Sequence, residues 1–142
     1  MQKPTFKIDF REGIFFLVLF IVSLFLTFQI HRNNGYFNWK SEIWSDRAGY
    51  YIYLPSLFMY HFNANECPEK IDEKTGYGFN LDYQKNTINT KYTYGVAFLL
   101  SPFFVSSYLV SPVFHKPGEA GFGPVYHKMI NVAAVIYLIL GL

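Results

Sequence analysis

The fold class follows from residues 13–30, which read GIFFLVLFIVSLFLTFQI. This run contains no charged side chain, and as a helix it spans about 27 Å, close to the hydrocarbon thickness of a bilayer. A signal peptide has a shorter apolar core that ends at a small-residue cleavage site, whereas His31 and Arg32 follow this run. The run therefore predicts a retained transmembrane helix.

The charge pattern of the rest of the chain agrees with a membrane protein. Charged residues make up 15% of the 142 residues, against about 25% in soluble domains. Residues 92–114 also lack charge and predict a second spanning helix, kinked at Pro102 and ending near Val110. Residues 129–142 are too few to cross a bilayer and predict a third, truncated helix.

The sequence thus predicts an all-α integral membrane protein, with two full transmembrane helices plus one truncated, and we expect it to be the N-terminal piece of a longer protein. The expected segments are a tail (1–12), helix 1 (13–30), a large loop (31–91), helix 2 (92–114), a second loop (115–128) and the truncated helix 3 (129–142).

Several functional classes lack support in the sequence. The net charge is only +2 and no basic stripe is present, which argues against a nucleic-acid partner. Cys67 is the single cysteine, so no intramolecular disulfide can form. The four histidines lie in separate segments without zinc-ligand spacing, so the sequence predicts no metal site.

The large loop has two halves of different composition. Residues 36–62 are rich in tyrosine, tryptophan and phenylalanine, side chains that favour the membrane interface. The segment from Asp46 to Phe62 therefore predicts short helices lying on the membrane, broken near Pro55. Residues 79–90 alternate loosely between apolar and polar side chains and predict a small hairpin.

Asp46 is the candidate catalytic residue of the loop. A carboxylate beside the membrane surface, placed among tyrosines, suits a general base that acts on a membrane-bound substrate. The alternative is structural, because Ser45 or Asp46 is also a good N-cap for the helix that follows.

A family resemblance rests on three motifs. The first, DRAGYYIYLP at Asp46 to Pro55, resembles the first outer loop of the GT-C class of membrane glycosyltransferases. These enzymes take sugars from polyprenyl-phosphate donors, and they include the protein O-mannosyltransferases and the lipid A aminoarabinose transferases. The second motif, KYTYGVAF from Lys91, resembles the start of the second helix of these enzymes. The third motif, GFGPVY from Gly121, resembles the start of their third helix. The order and spacing of the motifs agree with the family from about residue 13 to the C-terminus.

The resemblance implies a bacterial inner (plasma) membrane protein with its N-terminus and residues 115–128 in the cytoplasm and the 31–91 loop on the outer, periplasmic face. It assigns Asp46 as the base that deprotonates the acceptor hydroxyl and Lys91 as the partner of the donor phosphate. Tyr50 and Tyr51 are expected to line the acceptor side. The implied partners are membrane lipid and a lipid-linked sugar donor, with a glycan, lipid or protein as the acceptor.

Two departures from the family limit these assignments. Many members carry two neighbouring acidic residues, whereas Arg47 follows Asp46 here. The nearest other carboxylate is Glu42, one turn away if the stretch is helical, and it is a further substrate-binding candidate. The need for a divalent metal therefore stays open. Three helices also cannot enclose a lipid-linked donor, so this piece alone is expected to be inactive.

Two alternatives stay open at the level of sequence. Lys91 also fits a side chain that extends to the lipid headgroups. The whole chain also fits a small, non-enzymatic membrane protein with three apolar segments, which binds a partner or lipid through its aromatic loop. A transporter is disfavoured, because the apolar segments contain no charged residue.

Overall fold

The computed structural model describes residues 9–30, 36–111 and 120–142. Helices cover most of this part of the chain, so the prediction of a mostly helical protein is confirmed. The elements in chain order are α1 (Phe10–Ile30), α2 (Asp46–Tyr51), α3 (Tyr53–Phe58), a 3₁₀ helix (Ala64–Glu66), α4 (Ile71–Lys74), β1 (Asn80–Asp82), β2 (Thr87–Asn89), α5 (Gly95–Val110) and α6 (Pro124–Leu140).

Helix α1 is long and apolar enough to cross a membrane, and within the described ranges it is the one helix that meets both criteria. Its 21 residues extend over about 32 Å at 1.5 Å per residue. The helix begins before the charge-free run, because the Glu12 carboxylate accepts a hydrogen bond from the Asp9 N–H at 3.1 Å, as in a capping box. None of its residues is buried, so its apolar side chains are available to lipid.

Helix α5 ends at Val110, as predicted, but begins at Gly95 rather than at Tyr92. Pro102 lies inside it and cannot donate to the Phe98 carbonyl. The Ser101 hydroxyl donates to that carbonyl at 2.7 Å instead, which explains how the helix tolerates the proline. With 16 residues, α5 is shorter than a membrane span.

Helix α6 begins at Pro124, earlier than the apolar run that starts at Met129. Proline is favoured at the first position of a helix because its missing N–H has no intrahelical partner there. The first turns of α6 also contain the polar residues His127 and Asn131. Both are buried, and both side chains contact the Glu42 carboxylate. The helix packs against α1 and α5, and with 17 residues it is an apolar helix shorter than α1.

The predicted short helices of the loop are present as α2 and α3, but the break between them lies at Ile52 and not near Pro55. Pro55 is the third residue of α3, where a backbone N–H would have no partner within the helix. The proline therefore fits the first turn of α3 and does not interrupt it. The predicted hairpin is confirmed, with Leu81 paired to Ile88 in an antiparallel register.

Aromatic side chains of the loop are buried in a core that also includes α5 and α6. The ring of Tyr51 packs edge-on against Phe122 and Phe104, at centroid distances of 5.6 and 5.9 Å. The Tyr51 hydroxyl donates to the carbonyl of Gly121, whose φ of 77° favours glycine. The interfacial location predicted for these helices stays a prediction, but Tyr51 is buried in the core, because a tyrosine hydroxyl is satisfied equally well by a buried backbone acceptor.

The same packing bears on the implied topology. Tyr51 contacts Gly121, Tyr60 donates to the Ala120 carbonyl, and Glu42 contacts α6. These contacts join the 31–91 loop directly to residues 120–127. The side of the membrane on which each segment lies stays a prediction. Residues 1–8, 31–35 and 112–119 lie outside the described residues. They include parts of the predicted tail, of the two predicted loops and of the C-terminal end of predicted helix 2.

Candidate functional site

Asp46 is the first residue of α2, and its side chain is exposed. Within the described residues, the side chain of the preceding residue, Ser45, makes no capping hydrogen bond to α2. The Asp46 carboxylate instead accepts a hydrogen bond at Oδ1 from the hydroxyl of Tyr92, which lies just before α5. The helix-cap interpretation therefore gains no support from these contacts.

Three of the residues selected from the sequence meet around Tyr92. Its hydroxyl contacts Asp46, its ring lies 4.4 Å from the Tyr50 ring, and the Lys91 Nζ lies 5.1 Å from its ring centroid. Tyr50 and Lys91 are far apart in the sequence, and the packing of α2 against the segment just before α5 brings them together. We call Asp46, Tyr50, Lys91 and Tyr92 the Asp46 cluster.

Close backbone packing holds the Asp46 cluster in place. A Cβ at Gly49 would lie 2.2 Å from the Tyr92 ring, and a Cβ at Gly78 would lie 1.8 Å from the Ser45 carbonyl oxygen. Both positions therefore require glycine, since a larger residue would push Tyr92 or the start of α2 away. The Thr90 hydroxyl adds a further link, donating to the Gly49 carbonyl at 2.9 Å.

The electrostatics of the cluster favour a charged lysine. The side-chain contact with Tyr92 and the nearby charge of Asp46 raise the pKa of Lys91, whose ammonium is exposed to solvent. In this arrangement the exposed ammonium can pair with a phosphate, and the two aromatic rings can pack against a sugar. The carboxylate can take up a proton.

Tyr51 does not belong to this surface. It is only 2% exposed, and its hydroxyl is bound to the Gly121 carbonyl. Burial, followed by the effects of Tyr126 and Tyr60, holds the pKa of Tyr51 well above its usual range. In this packing Tyr51 is a core residue that cannot line an acceptor surface, whereas the half-buried Tyr50 remains at the Asp46 cluster.

Glu42 belongs to a second group of polar side chains. Residues 41–45 are not helical, so Glu42 is not placed one helical turn before Asp46. Its Oε2 lies 2.9 Å from the His127 Nδ1, and its Oε1 accepts a hydrogen bond from the Asn131 side chain at 2.8 Å. We call Glu42, His127 and Asn131 the Glu42 cluster.

The Glu42 cluster is nearly closed to solvent, with side-chain exposures of 9% for Glu42 and 3% for His127. Burial opposes the charged carboxylate, but the hydrogen bonds from His127 and Asn131 outweigh this effect and lower the pKa of Glu42 to about 2. The His127 Nε2 is buried and has no hydrogen-bond partner among the described residues. This arrangement suits an internal contact between the loop and α6 better than contact with a substrate.

Sequence reasoning did not select Tyr92, His127 or Asn131. Tyr92 lies in the second family motif, directly after Lys91, and this position was the one feature of the sequence that pointed to it. His127 and Asn131 are four residues apart and share one face of an apolar helix, a spacing that indicates an inward polar partner. No local pattern indicated that this partner is Glu42.

A metal site is not apparent in the described part of the chain, where no three His, Cys, Asp or Glu side chains gather. Comparisons with protein families, with curated proteins and with solved structures find no match for this chain. The function must therefore be argued from the two clusters and from the sequence motifs.

Proposed function

We propose that this chain forms the first helices and the first outer loop of a membrane glycosyltransferase, and that the Asp46 cluster is its catalytic site. The enzyme transfers a sugar from a polyprenyl-phosphate donor to a hydroxyl of a glycan, lipid or protein. The observation that supports this proposal most strongly is the meeting of Asp46, Lys91 and Tyr50, because each was selected from the sequence independently of any contact.

The residues of the cluster divide the chemistry between them. The Asp46 carboxylate accepts the proton of the acceptor hydroxyl as its oxygen attacks the anomeric carbon of the donor sugar. The bond between that carbon and the donor phosphate breaks with inversion, and the phosphate leaves with the bonding electron pair. The Lys91 ammonium pairs with the negative charge that develops on the leaving phosphate. The Tyr50 ring offers a face on which a sugar ring can pack.

The substrate chemistry requires the site to lie beside a lipid surface, and α1 supplies a means of attachment. It is the candidate span among the described helices, and all of its apolar side chains are unburied. We propose an integral membrane location in the bacterial inner (plasma) membrane, with α1 crossing it. The contacts between the loop and residues 120–131 support a location of both segments on the same side of that membrane, which we take as the outer face.

Binding of a short lipid phosphate tests the proposal on the chain itself. We would reconstitute the chain in phosphatidylcholine nanodiscs and titrate it with farnesyl phosphate, using farnesol as the uncharged control. We expect saturable binding of farnesyl phosphate alone, and about tenfold weaker binding for Lys91→Ala, which corresponds to 1.4 kcal/mol. Lys85→Ala is the matched control, because Lys85 is also exposed but lies in the hairpin turn. Equal affinity for the two ligands, or an equal loss for both variants, would contradict the proposed phosphate contact.

A second candidate function, binding of lipid or a protein partner without catalysis, is favoured by exposed aromatic rings in the loop. Trp39 and Tyr77 are each 70% exposed. Tyrosine and tryptophan at such positions are suited to a membrane interface. This function predicts that Trp39→Ala weakens vesicle binding of a loop–α6 chain lacking α1, whereas Asp46→Asn has no effect in any assay. A loss of sugar transfer in Asp46→Asn would exclude it.

A further inference from the structure

The position of Tyr92 relative to the two charged groups suggests a role beyond holding the cluster together. Asp46 and Lys91 are opposite charges that both contact Tyr92, yet none of the ion pairs within 4.0 Å among the described residues joins them. The Tyr92 hydroxyl donates a hydrogen bond to Oδ1 of the Asp46 carboxylate, and the Lys91 ammonium lies over the Tyr92 ring. Without this ring, the flexible lysine side chain could reach the carboxylate, which attracts it.

We propose that Tyr92 is a positioning residue that keeps the Lys91 ammonium apart from the Asp46 carboxylate, so that one binds phosphate while the other accepts a proton. A direct ion pair would engage both groups at once, leaving the carboxylate a weaker base and the ammonium a weaker phosphate ligand. The inference rests on the proposed function for its purpose, but the separation of the charges can be tested without it.

The surroundings of Tyr92 make it a fixed spacer. The Tyr50 ring lies against one part of the Tyr92 ring, and the Gly49 backbone lies against another. The Tyr92 carbonyl accepts a hydrogen bond from the Tyr53 hydroxyl, and its N–H donates to the Thr90 hydroxyl at 3.3 Å. Ring and backbone are thus held from both α2 and α3, so Tyr92 cannot easily swing away to let the two charges meet.

Zero-length crosslinking measures the separation directly. A carbodiimide joins a carboxylate to an amine as an amide only where the two groups can touch, and peptide mass spectrometry locates the product. The chain contains its own positive control, because the Lys85 Nζ lies 3.9 Å from the Asp82 carboxylate. In the wild-type chain in nanodiscs we expect the Asp82–Lys85 crosslink and little of the Asp46–Lys91 crosslink.

Removal of the ring is expected to reverse this result. In Tyr92→Ala the Asp46–Lys91 crosslink should rise at least fivefold, while the Asp82–Lys85 yield stays constant as the internal standard of the reaction. Tyr92→Phe retains the ring and should resemble the wild type. Tyr94→Ala is the matched control, since Tyr94 is 71% exposed and lies two positions away. If Tyr92→Ala does not fold, Tyr92→Thr takes its place with the same expected result.

Farnesyl phosphate binding then connects the spacer to the site. Tyr92→Ala should bind about tenfold more weakly than wild type, and the double variant Tyr92→Ala with Asp46→Asn should recover most of the affinity, because no carboxylate remains to capture Lys91. A purely structural role for Tyr92 would give no recovery. A strong Asp46–Lys91 crosslink in the wild type, or none in Tyr92→Ala, would overturn the spacer. The expected crosslinks without any farnesyl phosphate binding would overturn the proposed function alone.

Discussion

The Glu42 cluster and the Asp46 cluster each combine one carboxylate with a nitrogen base or cation and neighbouring aromatic rings. They differ in their access to solvent. Glu42 and His127 are almost fully buried between the loop and α6, whereas Asp46 and Lys91 are exposed. Removing one partner of a buried, hydrogen-bonded charge is costly, so such a charge helps to specify a single packing arrangement. An exposed charge contributes little to stability and stays accessible to a ligand. The Glu42 cluster is therefore suited to a structural role, and the Asp46 cluster to the chemical role that we propose for it.

The largest effect on stability is expected when the buried cluster loses its carboxylate. Glu42→Ala leaves His127 and Asn131 without their partner and should lower the free energy of unfolding by about 4 kcal/mol. Thermal unfolding followed by tryptophan fluorescence measures the change. Glu42→Gln keeps the shape and one acceptor, so it should lose clearly less. An unfolding transition unchanged by Glu42→Ala would remove the distinction between the clusters.

Acid should weaken the buried cluster in a defined pH range. The pKa of Glu42 is about 2 in the folded chain and has an ordinary value of 4.5. Because the folded pKa is the lower one, the stabilisation is complete above pH 4.5 and is lost as the pH falls toward 2, by about 3 kcal/mol in total. The measurement is the unfolding free energy of wild type and Glu42→Gln across this range. Parallel pH profiles for the two chains would contradict the assignment.

A smaller loss of stability is expected when the glycine packing that supports the Asp46 cluster is changed. A Cβ at Gly78 would meet the Ser45 carbonyl oxygen, which belongs to the backbone and cannot rotate away. Gly78→Ala should therefore lower the unfolding free energy by about 2 kcal/mol and displace the start of α2. Gly95→Ala is the control, because a Cβ there meets nothing within 4 Å. Equal stability of the two variants would show that α2 adjusts freely.

The exposed carboxylate itself should contribute least. Asp46→Asn removes a solvent-exposed charge, retains an acceptor for the Tyr92 hydroxyl, and should change the unfolding free energy by less than about 0.5 kcal/mol. In the proposed enzyme the same variant should abolish sugar transfer. Loss of stability similar to that of Glu42→Ala would assign a structural role to Asp46 and leave the chain without a candidate base.

How far the sequence predicted this structure depends on the range of the interactions. Helix α1, the end of α5 at Val110 and the hairpin follow from patterns within a few neighbouring residues, and all three are present. The contact of Glu42 with His127 could not be predicted, because the two residues are 85 positions apart and no local pattern joins them. The burial of Tyr51 was also hidden, since tyrosine suits a membrane interface and a core with a backbone acceptor equally well.

Within the site, sequence motifs selected Asp46, Tyr50 and Lys91, and these residues meet in the structure. Glu42 and Tyr51 were selected with them, but both make internal contacts. The motifs identify residue types and their order, whereas the distinction between an exposed and a buried side chain depends on packing between distant segments. Tyr92, which connects the site, was adjacent to a selected residue and lacked any charge that would have drawn attention to it.

The most direct test of the central claim is protection of Lys91 from an amine-reactive label. The wild-type chain in nanodiscs would be acetylated with and without farnesyl phosphate, and mass spectrometry would compare Lys91 with Lys85 in the same molecules. We predict that farnesyl phosphate slows the labelling of Lys91 severalfold, that farnesol does not, and that Lys85 is unaffected by either. Unchanged labelling of Lys91 at saturating farnesyl phosphate, or equal slowing of both lysines, would contradict a phosphate-binding site at the Asp46 cluster.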